Sequence, residues 1–238
     1  MKLLFVADLH YALKQFDWLT VNAGECDALI IGGDLLDIAG VLEIDVQVVV
    51  VEKYLQRLRQ ATRLIVSSGN HDGDYRDATG ESRAKWLADL KSERLHVDGE
   101  SIDVEGVRIT ICPWWDGPIS CAEVEQQLLA AVPPPGVPWL WVYHAPPDGP
   151  LSWNGKRFVG DSILTGWIER FKPDFVVSGH IHNAPFYPDG AWVHRIGKTW
   201  AFNPGRQIGA SPSSLWIDLK NGLVRWQSMA GVEQQSIN

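Results

Sequence analysis

Histidine and aspartate recur in this 238-residue chain as short clusters, each placed where an apolar run gives way to a polar loop. The clusters are Asp8-Leu9-His10, Gly33-Asp34-Leu35-Leu36-Asp37, Gly69-Asn70-His71-Asp72, His144 after Trp139–Tyr143, and Gly179-His180-Ile181-His182. Five of the seven histidines sit in them, so the imidazoles are concentrated rather than scattered. Imidazole nitrogen combined with carboxylate and amide oxygen suits metals of intermediate hardness: manganese, iron, zinc or cobalt. An all-oxygen set would have pointed to calcium or magnesium. Each cluster alone has an ordinary structural use, since an Asp after a strand commonly caps a helix. Taken together they argue for a metal site, because carboxylates and imidazoles buried side by side without a cation are costly. The glycines before them let the backbone turn sharply and approach an ion closely.

The elements that must carry these clusters follow from periodicity. Lys2–Ala7, Asp27–Ile31, Arg63–Ser67, Trp139–Tyr143 and Phe175–Val177 are short apolar runs that predict buried strands. Helical spacing predicts helices near Phe16–Ala23 and over Ile44–Ala61, Glu81–Lys91, Ala122–Val132 and Ser162–Phe171. Ser101–Val104 and Val107–Cys112 read as a hairpin about Glu105-Gly106. Further short strands are expected at Trp192–Ile196, Thr199–Phe202, Ser214–Leu219 and Leu223–Gln227, with Asn221-Gly222 as the last turn. Strand–helix alternation followed by a strand-rich half predicts an α/β layered architecture. In an open α/β sheet, ligands collect at the carboxyl ends of strands, so the loops could converge. Pro133–Pro135 is the best candidate boundary, and it reads as a rigid connection inside a single domain spanning 1–238, because ligand candidates lie on both sides of it.

Composition sets limits on function. Hydrophobic residues make up 45% and charged residues 21%, which describes a globular chain and excludes a disordered one. A net charge of -8 lacks the basic footprint expected of a nucleic-acid binder. No apolar run approaches membrane-spanning length, and no signal-peptide pattern precedes Asp8, so a cytoplasmic protein with no membrane partner is expected. Cys26, Cys112 and Cys121 have neither disulfide-framework nor zinc-site spacing and read as small buried hydrophobes. Most of the twelve tryptophans are expected to serve packing.

In order and without a gap, the clusters reproduce the pattern D-x-H, G-D-x-x-D, G-N-H-D/E, H, G-H-x-H. On those residues the chain resembles the calcineurin-like metallophosphoesterase superfamily, over about three quarters of its length. The resemblance implies an αββα sandwich of two mixed sheets and a centre of two divalent or trivalent transition-metal ions. It implies that Asp8, His10 and His182 bind one metal, that Asn70, His144 and His180 bind the other, and that Asp34 bridges them. His71 would face the substrate as the catalytic proton donor. Asp72, beside it at the catalytic centre, and Asp37 would hold histidines or loops in place. The implied chemistry is hydrolysis of a small-molecule phosphate ester, a phosphodiester favoured, by a metal-bridging hydroxide, with metals on the order of 3.5–4 Å apart. The alternatives are a phosphomonoesterase, a nuclease, or a non-catalytic scaffold, the last expected to have lost ligands.

Several features touch substrate choice. Phe202-Asn203-Pro204-Gly205 resembles a loop that follows the last ligand in many family members and could line the site, so Asn203 is a candidate substrate contact, and Arg206 is a candidate contact for a second phosphate or polar tail; Asn-Pro-Gly is also good turn chemistry. Lys156 and Arg157 are candidate contacts for a polar tail, with solvated surface charge as the plainer role. Trp114-Trp115 could wall the site or pack in the core. His96 and His194 match no motif. Some cyclic-nucleotide phosphodiesterases of this superfamily carry a histidine where this chain has Ala145.

Overall fold

Apolar runs without alternation should be strands covered on both faces, and they are. In the computed structural model, which describes residues 1–237, the chain opens with β1 (Lys2–Val6), α1 (Leu13–Asn22), β2 (Ala28–Gly32), α2 (Ile44–Ala61) and β3 (Arg63–Ser67). A small hairpin follows, β4 (Tyr75–Arg76) and β5 (Ser82–Arg83), then the one-turn helix α3 (Lys85–Ala88) and β6 (Leu95–His96). Next come β7 (Ser101–Val104), β8 (Val107–Ile111), α4 (Pro118–Ala131), β9 (Trp139–Val142), α5 (Ser162–Phe171) and β10 (Phe175–Val177). The chain closes with β11 (Val193–Ile196), β12 (Thr199–Phe202), β13 (Ser214–Asp218), β14 (Leu223–Ser228) and β15 (Gly231–Ser236).

Two sheets result. The seven-stranded one has the order β15-β14-β13-β1-β2-β3-β6, and the six-stranded one β11-β12-β10-β9-β8-β7. β1, β2 and β3 are parallel, as are β8, β9, β10 and β12, while β13–β15 are antiparallel. Successive side chains of β1 feed different cores. Leu4 and Val6 pack with Phe16, Val51, Leu55 and Leu58 under the helices, while Leu3 and Phe5 enter the layer between the sheets with Ile109, Leu140 and Phe202. A third cluster seals α4 and α5 against the second sheet through Val124, Leu128, Leu164, Ile168 and Trp141. The architecture is the expected αββα sandwich. Each fully buried Leu, Ile or Phe contributes roughly 1.5–3 kcal/mol, so these three layers dominate the stability.

Local signals mostly hold. Glu105 (φ 47°) and Gly106 (φ 82°) form the left-handed turn of the β7–β8 hairpin. Asp161 caps α5, accepting from the N–H groups of Ile163 and Leu164 at 2.9 and 3.0 Å, the usual role of an Asp in that position. The helix expected over Glu81–Lys91 is a correction. Its first half is drawn into tertiary contacts: Glu81 accepts from the N–H groups of Ile119 and Ser120 at the start of α4, and Ser82 N–H donates to Asp116. Arg83 binds Asp77 and Glu123. Only Lys85–Ala88 remains helical. The β6 bridge and the final strand β15 were not expected from periodicity; β15 is polar and exposed, held only along one edge by β14. Among the described residues no helix is long and apolar enough to cross a membrane. The cysteines are free, with Cys26 and Cys112 buried.

Candidate metal centre

The loops after β1, β2, β3, β9 and β10 end on one side of the sandwich and bring their polar residues together. Asp8 N–H donates to Gly33 O at 3.0 Å and His10 N–H to Asp34 O at 2.9 Å, which locks the first loop on the second. Asp8 (φ 57°), His10 (φ 43°), Asp34 (φ 53°) and His180 (φ 66°) all occupy the left-handed region that side chains rarely adopt. Backbone strain gathered in one place marks a site whose geometry the surrounding fold imposes. Close approach also needs glycine. A Cβ on Gly33 would lie 2.5 Å from His144 Nδ1, and one on Gly179 would lie 2.5 Å from Asp8 Oδ2.

Two donor sets share Asp34. Asp8, His10, Asp34 and His182 present ligand atoms within 4.8 Å of one another, and so do Asp34, His144 and His180. In the first set His10 Nε2 and His182 Nε2 stand 3.1 Å apart, with Asp8 Oδ1 3.3 Å from His182 Nε2 and Asp34 Oδ2 3.5 Å from His10 Nε2. In the second, His144 is fully buried and its Nδ1 lies 2.7 Å from Gly32 O. That bond places the ring proton on Nδ1. It leaves Nε2 facing Asp34 Oδ2 at 3.2 Å, without a well-aligned hydrogen-bond partner and open to a metal once its own proton leaves. Asn70 Oδ1 is likewise buried and unpartnered. Buried polar atoms rarely lack partners. His144 Nε2 also faces two carboxylates, 3.2 Å from Asp34 Oδ2 and 3.8 Å from Asp8 Oδ1, an arrangement that suits a cation, so the residues fit the metals that the donor chemistry implies. The geometry also gathers His10, Asp37 and His71 within the same reach, outside the sequence-based ligand assignment.

Electrostatics supports ligand-ready forms of His10, His180, Asp8 and Asp34, and opposes one only at His144. Burial, which disfavours the charged ring, holds His10 and His180 down at about 4, so both are neutral. For Asp8 and Asp34, burial pushes the carboxyl up, but His182 and His144 outweigh it for Asp8, and His144 with the His71 N–H outweighs it for Asp34; both stay below the usual carboxylate range. Burial opposes charge on His144 too, yet Asp34 and Asp8 raise it to about 9.

The remaining predicted residues divide by role. His71 Nδ1 accepts from Ile38 N–H at 3.3 Å, so in the neutral ring the proton sits on Nε2, 3.9 Å from Asp34 Oδ2. Asp37 Oδ1 lies 4.0 Å from His71 Nδ1 and accepts from Ala39 N–H at 3.0 Å. Asp72, grouped with His71 at the catalytic centre and expected to hold loops in place, does the latter: it is fully buried and its carboxylate accepts from the N–H groups of Leu35, Leu36 and Gly69 at 2.9, 3.0 and 2.8 Å. Burial, reinforced by Asp34, pushes its carboxyl up to about 7. Asn203 is also corrected. It is fully buried, its Nδ2 donates to Leu151 O and Ile181 O at 3.0 Å, and its Oδ1 accepts from Gly205 N–H, which leaves nothing to face a substrate. Arg206 is half-buried beside the first set, with Nε donating to Asp8 O at 3.1 Å. Lys156 and Arg157 sit on an exposed turn whose N–H groups donate to Asn154 Oδ1. Trp114 and Trp115 are both half-buried against the third core cluster; Trp115 stacks 3.9 Å from Tyr143, whereas Trp114 also borders the centre, 5.4 Å from His180.

Two supports escaped the sequence reading. Gln47 Oε1 accepts from Asp37 N–H and its Nε2 donates to Asp37 O, which clamps that loop onto α2. A polar residue on the buried stripe of Val51, Leu55 and Leu58 was the available signal. Trp86 Nε1 donates to Asp72 O at 2.8 Å, and its sequence context carried no sign of that.

The family model described as calcineurin-like phosphoesterase matches residues 1–184. Among solved structures, TT1561 of Thermus thermophilus is similar at 14% identity with a TM-score of 0.63, over 100% of this chain and 99% of that one. Yfce, a phosphoesterase from E. coli, is similar at 16% identity with a TM-score of 0.47, over 100% of both chains. No curated protein sequence matches. At 14% identity the likeness to TT1561 is one of fold.

Proposed function

The chain belongs to the calcineurin-like phosphoesterase family, and on that premise we propose that it hydrolyses a phosphodiester with two transition-metal ions held by Asp8, His10, Asp34, Asn70, His144, His180 and His182. The observation that carries this reading is the pair of donor sets hinged on Asp34, with His144 Nε2 and Asn70 Oδ1 left unpartnered in the buried interior. Manganese, iron, zinc or cobalt bound there would neutralise charge on the phosphoryl oxygens and acidify water for attack.

The chain's own residues do the rest. Nε2–H of His71 points into the centre and is placed to donate a proton to the departing alkoxide, a role worth on the order of 10²–10⁴-fold in rate. The guanidinium of Arg206, held by Asp8 O, has further N–H groups for a phosphoryl oxygen. Asp72 and Gln47 keep the second and third loops in register. A diester is favoured because a depression beside Asn70 and Trp114 adjoins the centre and gives room for a substituent beyond the phosphoryl group.

The test is side-by-side hydrolysis of bis-p-nitrophenyl phosphate and p-nitrophenyl phosphate, by protein stripped with chelator and reloaded with manganese, with Asp34→Asn as the blank. Manganese-dependent turnover weighted to the diester is expected. Weight on the monoester would move the reading to a phosphatase, and two bound metals with no turnover of either ester would sink it.

A further inference from the structure

A cavity of about 190 Å³ adjoins the centre, between the β4–β5 hairpin and the loop after β8. Asn70, Gly73, Arg76, Ser82, Trp114 and Asp116 line it, so the metal centre and the cavity share Asn70 as a wall. Trp114 is held from three sides. Its ring centroid lies 5.4 Å from that of His180 and 5.8 Å from that of His144, and its backbone N–H donates to Ser68 Oγ at 3.0 Å. Tyr143 lies nearly parallel to it, 6.1 Å away at an interplanar angle of 10°, and is itself stacked against Trp115 in the core. The indole is thereby fixed in place, yet it stays partly exposed to the cavity.

The rest of the lining is polar. The Arg76 side chain is 71% exposed and lies 3.4 Å from Asp116 Oδ2, while Asp116 accepts from Ser82 N–H at 2.9 Å. An immobilised aromatic surface faced by a guanidinium, a hydroxyl and a carboxylate suits a flat heteroaromatic ring carrying both donors and acceptors. The volume is below the roughly 300–1,000 Å³ of a site for a drug-sized ligand, so it takes one ring system rather than a long chain.

We propose that this cavity is a nucleobase subsite, and that the substrate is a nucleoside-bearing phosphate ester whose base stacks on Trp114 while its phosphoryl group lies among the metal ligands. The proposal rests on the phosphoesterase reading and adds the identity of one substituent. Stacking of a base on an aromatic side chain corresponds to about tenfold to a hundredfold in affinity.

The experiment compares binding of adenosine 5′-monophosphate, ribose 5-phosphate and inorganic phosphate to the manganese-loaded full chain by calorimetry. Adenosine 5′-monophosphate is expected to bind at least tenfold more tightly than ribose 5-phosphate. Trp114→Leu should erase that difference while inorganic phosphate binding stays within about twofold, whereas Trp114→Phe, which keeps a ring and the packing on His180, should retain most of it. Equal affinity for the two sugar phosphates in the unaltered protein overturns the subsite, as does a preference that survives Trp114→Leu. Turnover of bis-p-nitrophenyl phosphate, measured on the same preparations, reports separately on the phosphoesterase reading: it can persist while the base preference is absent.

Discussion

Three residues carry opposite electrostatic duties within one cluster. His10 and His180 are kept neutral near pH 7 by burial, while His144 keeps its proton up to about pH 9 because two carboxylates outweigh burial. A metal must therefore displace a proton from His144. Loading manganese at pH 7 is expected to release about one proton through this group, and apparent affinity should rise with pH until about 9 and then level. Calorimetry in buffers of different ionisation enthalpy measures the release; none at pH 7 would show His144 already neutral. The same shift has a stability consequence. Because the folded pKa is raised from 6.5, the His144–Asp34 contribution in metal-free protein is complete below about pH 6.5 and lost as pH rises through about 9. His71 differs, since its Nδ1 is taken by Ile38 N–H. His71→Ala is expected to retain both metals by elemental analysis and to lose on the order of 10²–10⁴-fold in kcat. Loss of metal in that variant would make His71 a ligand, as its proximity to His10 and Asp37 allows.

Loops bring the ligands together, but braces between elements hold those loops. Asp72 binds three N–H groups across two loops. Asp72→Ala would strand all three, at about 1–3 kcal/mol for each buried donor left unpaired. The expected readout is a Tm several degrees lower together with loss of metal. An unchanged Tm with full metal content would remove Asp72 from the frame. Asp161 offers the contrast, as a cap on α5 that touches no ligand. Asp161→Ala should cost about 1 kcal/mol, or roughly 2–4 °C in Tm for a chain of this size, with metal content unchanged.

Across the molecule, parallel strands from two different sheets end at the same place, β1–β3 from one and β9–β10 from the other. A ligand set assembled this way exists only when both sheets are folded and packed, so metal binding and global stability are linked. Metal at a hundredfold excess over its dissociation constant should stabilise the protein by about 2.7 kcal/mol per independent site. Chelation is therefore expected to lower Tm by several degrees, and Asp34→Asn, which lacks the shared ligand, should show little of that shift. A Tm indifferent to chelator would mean that no metal is bound in the folded state.

Residue types and local spacing identify which residues can do chemistry and which segments carry them. Short apolar runs that stop at Asp8, Asp34, Asn70, His144 and His180 are a local pattern, and local patterns are what burial on both faces of a parallel strand imposes. Ile44–Ala61 was equally legible, because the stripe of Val51, Leu55 and Leu58 has helical spacing. Tertiary structure decided everything that depends on a distant partner. Glu81–Lys91 has helical composition but yields its first turn to Asp116, Glu123 and the start of α4. Asn203 looks like a rim residue in sequence, yet lies buried because two carbonyls, Leu151 O and Ile181 O, satisfy its amide. Trp114 and Trp115 are adjacent and alike in sequence, and both lie nearly parallel to Tyr143, but only Trp114 also meets His144 and His180 at the metal centre, while Trp115 meets Trp167 on α5. Periodicity reports the neighbours a residue has along the chain. Hydrogen-bond partners and cavity walls come from segments brought together only by the packing of the two sheets.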